Sequence, residues 1–240
     1  MKGFIKTITL CLLLVCLALS TVACSSSDND IPAPYGANLG KVSEEKWISA
    51  LTIPEGIENF SLLTIEQEGG MTQSRTFAIS STGSYSNGFY ETYYEGQFLK
   101  VTIVSALVNI QGINYAYEKA YEPSHGNHYD IRENDVNFLE EYLERINSFV
   151  SRHVNSYSSF TYDNQEEAFV LKESLSFIAS SEFQIKIFEN GFSYKEVTTY
   201  ETSTDVLDFV FYNVNSTTVD VPQYIIDDIN TWIQNPEAFN

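Results

Sequence analysis

Basic residues, histidine and cysteine are all scarce in this 240-residue chain, and each scarcity removes a class of function. Thirteen lysines and arginines face 32 aspartates and glutamates, a net charge of −19. A surface of that sign is repelled by phosphate backbones and anionic headgroups, so nucleic acid is not a partner and a basic membrane-binding face is excluded. The three histidines, His125, His128 and His153, form no recognisable catalytic constellation. Gly-x-Ser-x-Gly and the phosphate-cradling glycine loop are both missing. No enzyme activity and no cofactor are expected. Long apolar runs are missing too: the longest, residues 8–19, is too short for a membrane span, which needs roughly twenty residues.

What is present begins with an address. Residues 1–23 carry Lys2 and Lys6, the apolar run, and then the small residues Ser20, Thr21 and Ala23, the layout of a secretory signal. Thr21-Val22-Ala23-Cys24 resembles a bacterial lipobox, with Thr21 where leucine is usual, and the resemblance implies an acylated Cys24, a palmitate-type lipid anchor. Cys11 and Cys16 fall in the discarded run, which leaves Cys24 with no disulfide partner. The alternative is an ordinary cleaved signal with a spare cysteine. Acyl chains contribute about 0.8 kcal/mol per buried methylene, so multiple acylation holds a protein firmly on a membrane. Residues 24–39, polar and then proline-rich, read as the lipidated cysteine and a flexible tether. The expected location is the bacterial cell envelope, at the cell membrane or the outer membrane.

Residues 40–240 suit one domain of two similar halves. Between two series of β-like segments lies one long amphipathic helix pattern, residues 134–154. Val136, Leu139, Leu143, Ile146 and Val150 share one face, and Asn134 or Asp135 is placed to cap it. A short helix is expected over 43–51, capped by Ser43 with Trp47, Ile48 and Leu51 inward, and a closing helix over 223–234 after Pro222. Strands are expected over 59–66, 74–81, 89–94, 98–107 and 113–121. After the central helix they resume over 158–162, 168–173, 182–189, 192–200, 207–214 and 217–221. Asn190-Gly191 is the strongest hairpin signal. Residues 122–134 read as a polar connection. Consecutive hairpins pair with sequence neighbours, which points to one continuous antiparallel sheet and an α+β class. With about ten strands that sheet is expected to curl under the long helix.

The layout resembles the lipoprotein-carrier superfamily of LolA-like and LppX-like proteins. The stretches that carry the likeness are Trp47-Ile48-Ser49-Ala50-Leu51 before Asn59-Phe60-Ser61, Phe160-Thr161-Tyr162-Asp163 before Ala168-Phe169, and Ile187-Phe188-Glu189-Asn190-Gly191. A fourth runs from Phe211-Tyr212-Asn213-Val214-Asn215 to Pro222, with Asn215 where glycine is usual. The resemblance implies a strongly curved, incomplete β-barrel closed by a long central helix and terminal helices, with a lipid or other hydrophobic ligand between.

Period-two alternation supplies the candidate lining: Phe60, Leu62, Phe77, Ile79, Tyr90, Leu99, Val101, Ile103, Phe183, Ile185, Phe209 and Phe211 from strands, with Leu139, Leu143 and Ile146 from the helix. A filled core has the same alternation. Two readings therefore stand: a carrier of a hydrophobic ligand without catalysis, and an envelope interaction module with a filled core that binds a protein or glycan partner. His125, His128 and Asp130 suit a metal by type but lack a fourth ligand, so no metal is expected. Glu140, Glu141 and Glu144 offer paired carboxylates, but on the polar face of a helix, where glutamate is an ordinary solvated residue. Asp227 and Asp228 read as dipole partners near a helix start.

Overall fold

The computed structural model describes residues 34–94, 97–134, 137–176 and 179–239. The signal, Cys24, the tether up to residue 33, Glu95-Gly96, Asp135, Val136 and the side chain of Tyr94 lie outside the described residues. Within them the chain is α+β, with one antiparallel sheet of eleven strands and three α-helices. The first six strands are β1 (Asn59–Glu68), β2 (Met71–Ser80), β3 (Gly83–Tyr94), β4 (Gln97–Ile110), β5 (Ile113–Glu122) and β6 (Gly126–Glu133). The other five are β7 (Thr161–Asp163), β8 (Ala168–Ser176), β9 (Ala179–Phe188), β10 (Gly191–Tyr200) and β11 (Thr204–Tyr212). The helices are α1 (Glu44–Leu51), α2 (Phe138–Val154) and α3 (Gln223–Gln234).

The strand order is β6-β5-β4-β3-β2-β1-β11-β10-β9-β8-β7. Each half is a meander, and the two join where β1 pairs with β11, Leu62 opposite Phe211 and Thr64 opposite Phe209. First and last strands therefore sit in the middle, and the sheet is open, with β6 and β7 at its edges. The segment that carries α2 leads from one edge to the other.

Several boundaries depart from the sequence reading. Residues 126–133, read as part of a polar connection, are the edge strand β6, paired along β5 from Glu122/Gly126 to Tyr115/Glu133. Only one flank of an edge strand is hydrogen-bonded, so it needs no continuous β-forming pattern, and Ile131 is its only fully buried side chain. Residues 217–221, read as a strand, are irregular, because β11 already has β1 and β10 on its two flanks. Asn213 and Asn215 take left-handed conformations, with φ of 56° each. Asparagine is among the few non-glycine residues that tolerate this region, which accounts for Asn215 at a glycine-like position. The Asn215 side chain accepts from the Glu58 amide at 2.8 Å and ties the turn to the start of β1.

Helix α2 starts at Phe138, capped by Asn137, whose side chain accepts from the Glu140 amide. The cap expected at Asn134 or Asp135 is thus displaced along the chain. Leu139, Ile146, Val150 and His153 are buried, and Leu143 packs beside them half-buried. In α1 the Ser43 side chain caps as expected, and Trp47 and Leu51 are fully buried while Ile48 is exposed. The Trp47 indole N–H donates to the carbonyls of both His153 and Val154, at 3.1 Å each, and so pins α1 to the end of α2.

The strand register sorts side chains into two faces. On one, Phe60, Leu62, Phe77, Ile79, Phe183, Ile185, Phe209 and Phe211 pack with Trp47 of α1 and with Leu139, Ile146 and Val150 of α2. On the other, Ala106, Tyr115, Tyr117 and Ile131 pack with Ile225 and Ile229 of α3. The two terminal helices thus lie on opposite faces. Asp228 of α3 accepts from the buried Tyr117 hydroxyl at 2.9 Å, a role more specific than a dipole partner, while Asp227 is exposed. The end of the expected tether is also bound. Tyr35 lies against Phe188 with ring centroids 4.5 Å apart, and Leu39 donates to the Ile187 carbonyl at 2.8 Å.

Candidate functional site

All twelve strand residues named as candidate lining, including Tyr90, Leu99, Val101 and Ile103, fall on the face that carries α1 and α2. Along that face the chemistry changes from one end to the other. In β1 the inward series is Phe60, Leu62, Thr64, Glu66, and opposite it in β2 stand Ile79, Phe77, Arg75, Gln73. In β10 it is Phe192, Tyr194, Glu196, and opposite it in β11 stand Phe211, Phe209, Leu207. Apolar rows therefore give way to polar and charged ones.

Helix α2 crosses close to that change and does not fill the space beneath it. A cavity of about 140 Å³ remains, walled by Leu62, Phe77, Ile146, Phe149, Leu207 and Phe209, with Thr64, Glu66, Gln73, Arg75, Tyr142 and Arg145 on its polar side. That volume is close to an engineered apolar protein cavity of about 150 Å³ that admits benzene. Four of the fifteen candidates, Leu62, Phe77, Ile146 and Phe209, line it. Phe60, Ile79, Phe183 and Ile185 are instead packed in the core with Leu139, Leu143 packs against them, and Phe211, in the same core, borders a separate space beside α1. Tyr90, Leu99, Val101 and Ile103 lie on the same face in β3 and β4, outside the lining of this cavity.

A second space, of about 280 Å³, lies beside the first and shares Arg75, Phe77 and Tyr142 with it. It is lined by Ser84, Ser86, Ser105 and Glu118, by the paired Asp130 and Arg132 of β6, and by Phe138 of α2. On the other side a third, of about 210 Å³, shares Glu66, Arg145, Phe149 and Leu207 and is ringed by carboxylates including Glu68, Glu196 and Asp205. A space of about 360 Å³ between α1 and the β9–β10 turn is lined by polar and apolar groups in like measure, Lys46, Asn190 and Asn213 beside Phe188, Phe192 and the candidate Phe211.

Two arginines of α2 anchor it at the polar end. Arg145 pairs with Glu66 of β1 at 2.7 Å and Arg152 with Glu196 of β10 at 2.6 Å. Exposed pairs of this kind contribute about 0–1 kcal/mol each, so apolar packing and the Trp47 hydrogen bonds hold the helix more than these do. Burial raises the Tyr142 phenol above its ordinary range, which keeps it a neutral donor at the cavity wall. His153, 4% exposed, sits among the rings of Phe160, Phe183 and Tyr194, and its Nε2 has no hydrogen-bond partner. Burial, reinforced by the neighbouring Arg152 charge, lowers its pKa from 6.5 to about 4, so it is neutral at pH 7.

The other sequence candidates lie outside this cavity, although Asp130 lines the space beside it. His125 pairs with Glu122 at 2.5 Å in a turn, His128 and Asp130 share one face of β6, and Asp130 pairs with Arg132. Among the described residues no three His, Cys, Asp or Glu side chains gather as metal ligands would. Glu140, Glu141 and Glu144 are exposed on the outer side of α2. Among the described residues no helix is long and apolar enough to cross a membrane. Sequence reasoning passed over several cavity residues, among them Thr64, Tyr142, Phe149 and Arg75, of which Arg75 is the charged one farthest from solvent. Its signal was legible, since it occupies the inward register of β2 between Gln73 and Phe77. Compared with protein-family models, curated proteins and solved structures, the chain matches none.

Proposed function

We propose that this protein is a cell-envelope lipoprotein, attached through an acylated Cys24, that binds or carries a hydrophobic or amphipathic small molecule without catalysis. The ligand enters between α2 and the sheet. The observation that carries this reading is the space left under α2 among Phe77, Ile146, Phe149 and Phe209. In the same reading the sheet curls into an incomplete barrel with α2 as its lid, in keeping with the resemblance to LolA-like and LppX-like carriers. The space holds a body of benzene size as it stands, so a full acyl chain requires α2 to lift or the neighbouring spaces to join.

Native mass spectrometry tests this on the mature chain, secreted behind a cleavable leader without Cys24 and sprayed with no delipidation. A co-purified or readily loaded hydrophobic mass supports the reading. A clean apo mass that stays clean after incubation with membrane lipids sinks it and favours the interaction module. One feature points toward that second reading: Tyr93 and Phe98, both exposed, lie edge-to-face at 5.6 Å near the end of the β3–β4 hairpin, as aromatic anchors for a partner would.

A further inference from the structure

Of the four arginines, Arg75 is the least exposed, with 17% of its side chain accessible against 47–66% for the other three. It is also loosely paired. Arg145 and Arg152 hold carboxylates at 2.7 and 2.6 Å, whereas the nearest Glu118 oxygen is 3.8 Å from Arg75 Nη2, too far for a hydrogen bond. The Ser105 hydroxyl accepts from Nη1 at 3.4 Å, near the limit, and itself donates to Glu118 at 3.2 Å. Turned with its oxygen toward the guanidinium, the Gln73 amide accepts from Nε at 2.6 Å and Nη2 at 3.3 Å. The two terminal nitrogens thus have no short charge-assisted bond, although a partly buried guanidinium is costly to leave so.

The backbone makes room for this arginine. Gly88 lies directly opposite it on β3, and a Cβ there would stand 2.8 Å from the Arg75 Cα and 2.9 Å from its Cγ. The guanidinium borders both the apolar space under α2 and the serine-lined space beside it. A planar fork of donors matches a carboxylate bidentately. We infer that the ligand is a small amphipathic monocarboxylate, its carboxylate on Arg75 beside Ser84, Ser86 and Ser105 and its apolar body of about six to eight carbons beneath α2. This rests on the reading of that space as a ligand site. Glu118 opposes the incoming carboxylate, whereas Asp130 in the same lining is already paired with Arg132, so neutralising Glu118 strengthens binding. The overall charge of −19 also repels an anion, but over a Debye length of only about 8 Å in physiological salt.

The test is calorimetric titration of the delipidated mature chain with octanoate, 1-octanol and acetate. Octanoate is expected to bind at least tenfold more tightly than 1-octanol, and acetate not to register. Arg75→Gln lowers octanoate affinity about tenfold and leaves 1-octanol unchanged, while Glu118→Gln raises octanoate affinity several-fold. Equal binding of octanoate and 1-octanol, indifferent to either substitution, overturns the carboxylate assignment and leaves the hydrophobic site standing. No binding of either eight-carbon probe overturns both. If Arg75→Gln does not fold, Glu118→Gln decides, because Glu118 is half exposed and a rise for octanoate alone has no purely structural cause.

Discussion

Lowering the pH should destabilise this protein through one buried ring, and the size of the effect follows from its surroundings. His153 is nearly inaccessible on α2, enclosed by Phe160, Phe183 and Tyr194, with Arg152 opposing and Glu196 favouring its protonation. Its folded-state pKa is about 4 against an ordinary 6.5. A depressed histidine pKa means that the unfolded chain binds the proton first. The stability is therefore complete above pH 6.5 and is lost as pH falls toward 4, where the folded form titrates as well. At 1.36 kcal/mol per unit the loss between pH 6.5 and 4 reaches about 3 kcal/mol, or about 6–12 °C in Tm for a domain of this size. The control is His153→Phe, which keeps an aromatic ring among aromatic rings and removes the titration. It also removes the unpartnered Nε2, worth about 1–3 kcal/mol, so the variant should be no less stable at pH 7.5. Urea unfolding of both chains at pH 7.5 and 4.5 gives the answer as a difference. Glu122, Asp163 and Glu182, all with lowered pKa values, lose stabilising charge in both chains alike, and this cancels. The variant's advantage should grow by about 2.5 kcal/mol at the lower pH. Parallel pH profiles would refute the claim that His153 is held neutral by burial.

Other substitutions probe the parts that position the site. Trp47→Ala should cost about 3–5 kcal/mol in urea unfolding, from the cavity and the lost bonds to the His153 and Val154 carbonyls, whereas Trp47→Phe should cost less. Gly88→Ala should be strongly destabilising for an Ala substitution in a strand, because its Cβ meets the Ser74 carbonyl and the Arg75 backbone; a Tm within 1 °C of the parent would contradict the close strand approach. Arg145→Ala should change unfolding free energy by less than about 1 kcal/mol, since both members of its pair with Glu66 are substantially exposed. Thr64→Leu, which fills the space under α2 from β1, should leave Tm unchanged or higher and weaken octanoate binding at least tenfold by calorimetry.

Much of the sheet was legible because hairpins declare themselves locally. A hairpin joins β9 and β10 close to where Asn190-Gly191 signals one, but its turn residues are Glu189 and Asn190, while Gly191 pairs with Phe188 and is needed for the close approach of β11, where a Cβ would stand 2.0 Å from the Phe211 carbonyl oxygen; the alternation through Phe183, Ile185 and Ile187 selects one face correctly. The failures have physical causes. Strand β6 escaped notice because an edge strand beside β5 needs few β-forming residues, while the threonine- and valine-rich residues 217–221 looked like a strand but met a sheet with no free flank beside β11. Asn134, Asp135 and Asn137 are all capping types within four residues, and only the fold selects Asn137. The opposite placement of α3 depends on Ala106, Tyr115, Tyr117 and Ile131 forming a second apolar face, which is a matter of register between distant strands. In the site, alternation named the right face but did not separate Leu62, Phe77 and Phe209 at the cavity from Phe60, Phe183 and Ile185 in solid core, because both groups have the same period. Arg75 was readable as a charge in an inward register, and was missed because only apolar positions were followed along β2.

The most direct measurement is a methyl NMR titration of the delipidated chain, labelled at leucine and isoleucine, with octanoate. The account predicts saturable shifts and ligand contacts at Leu62, Ile146 and Leu207, which wall the space beneath α2, with Ile131, Ile225 and Ile229 on the opposite face unmoved. Shifts confined to the α3 face, or a spectrum that does not respond at any octanoate concentration below micelle formation, would contradict a ligand site between α2 and the sheet.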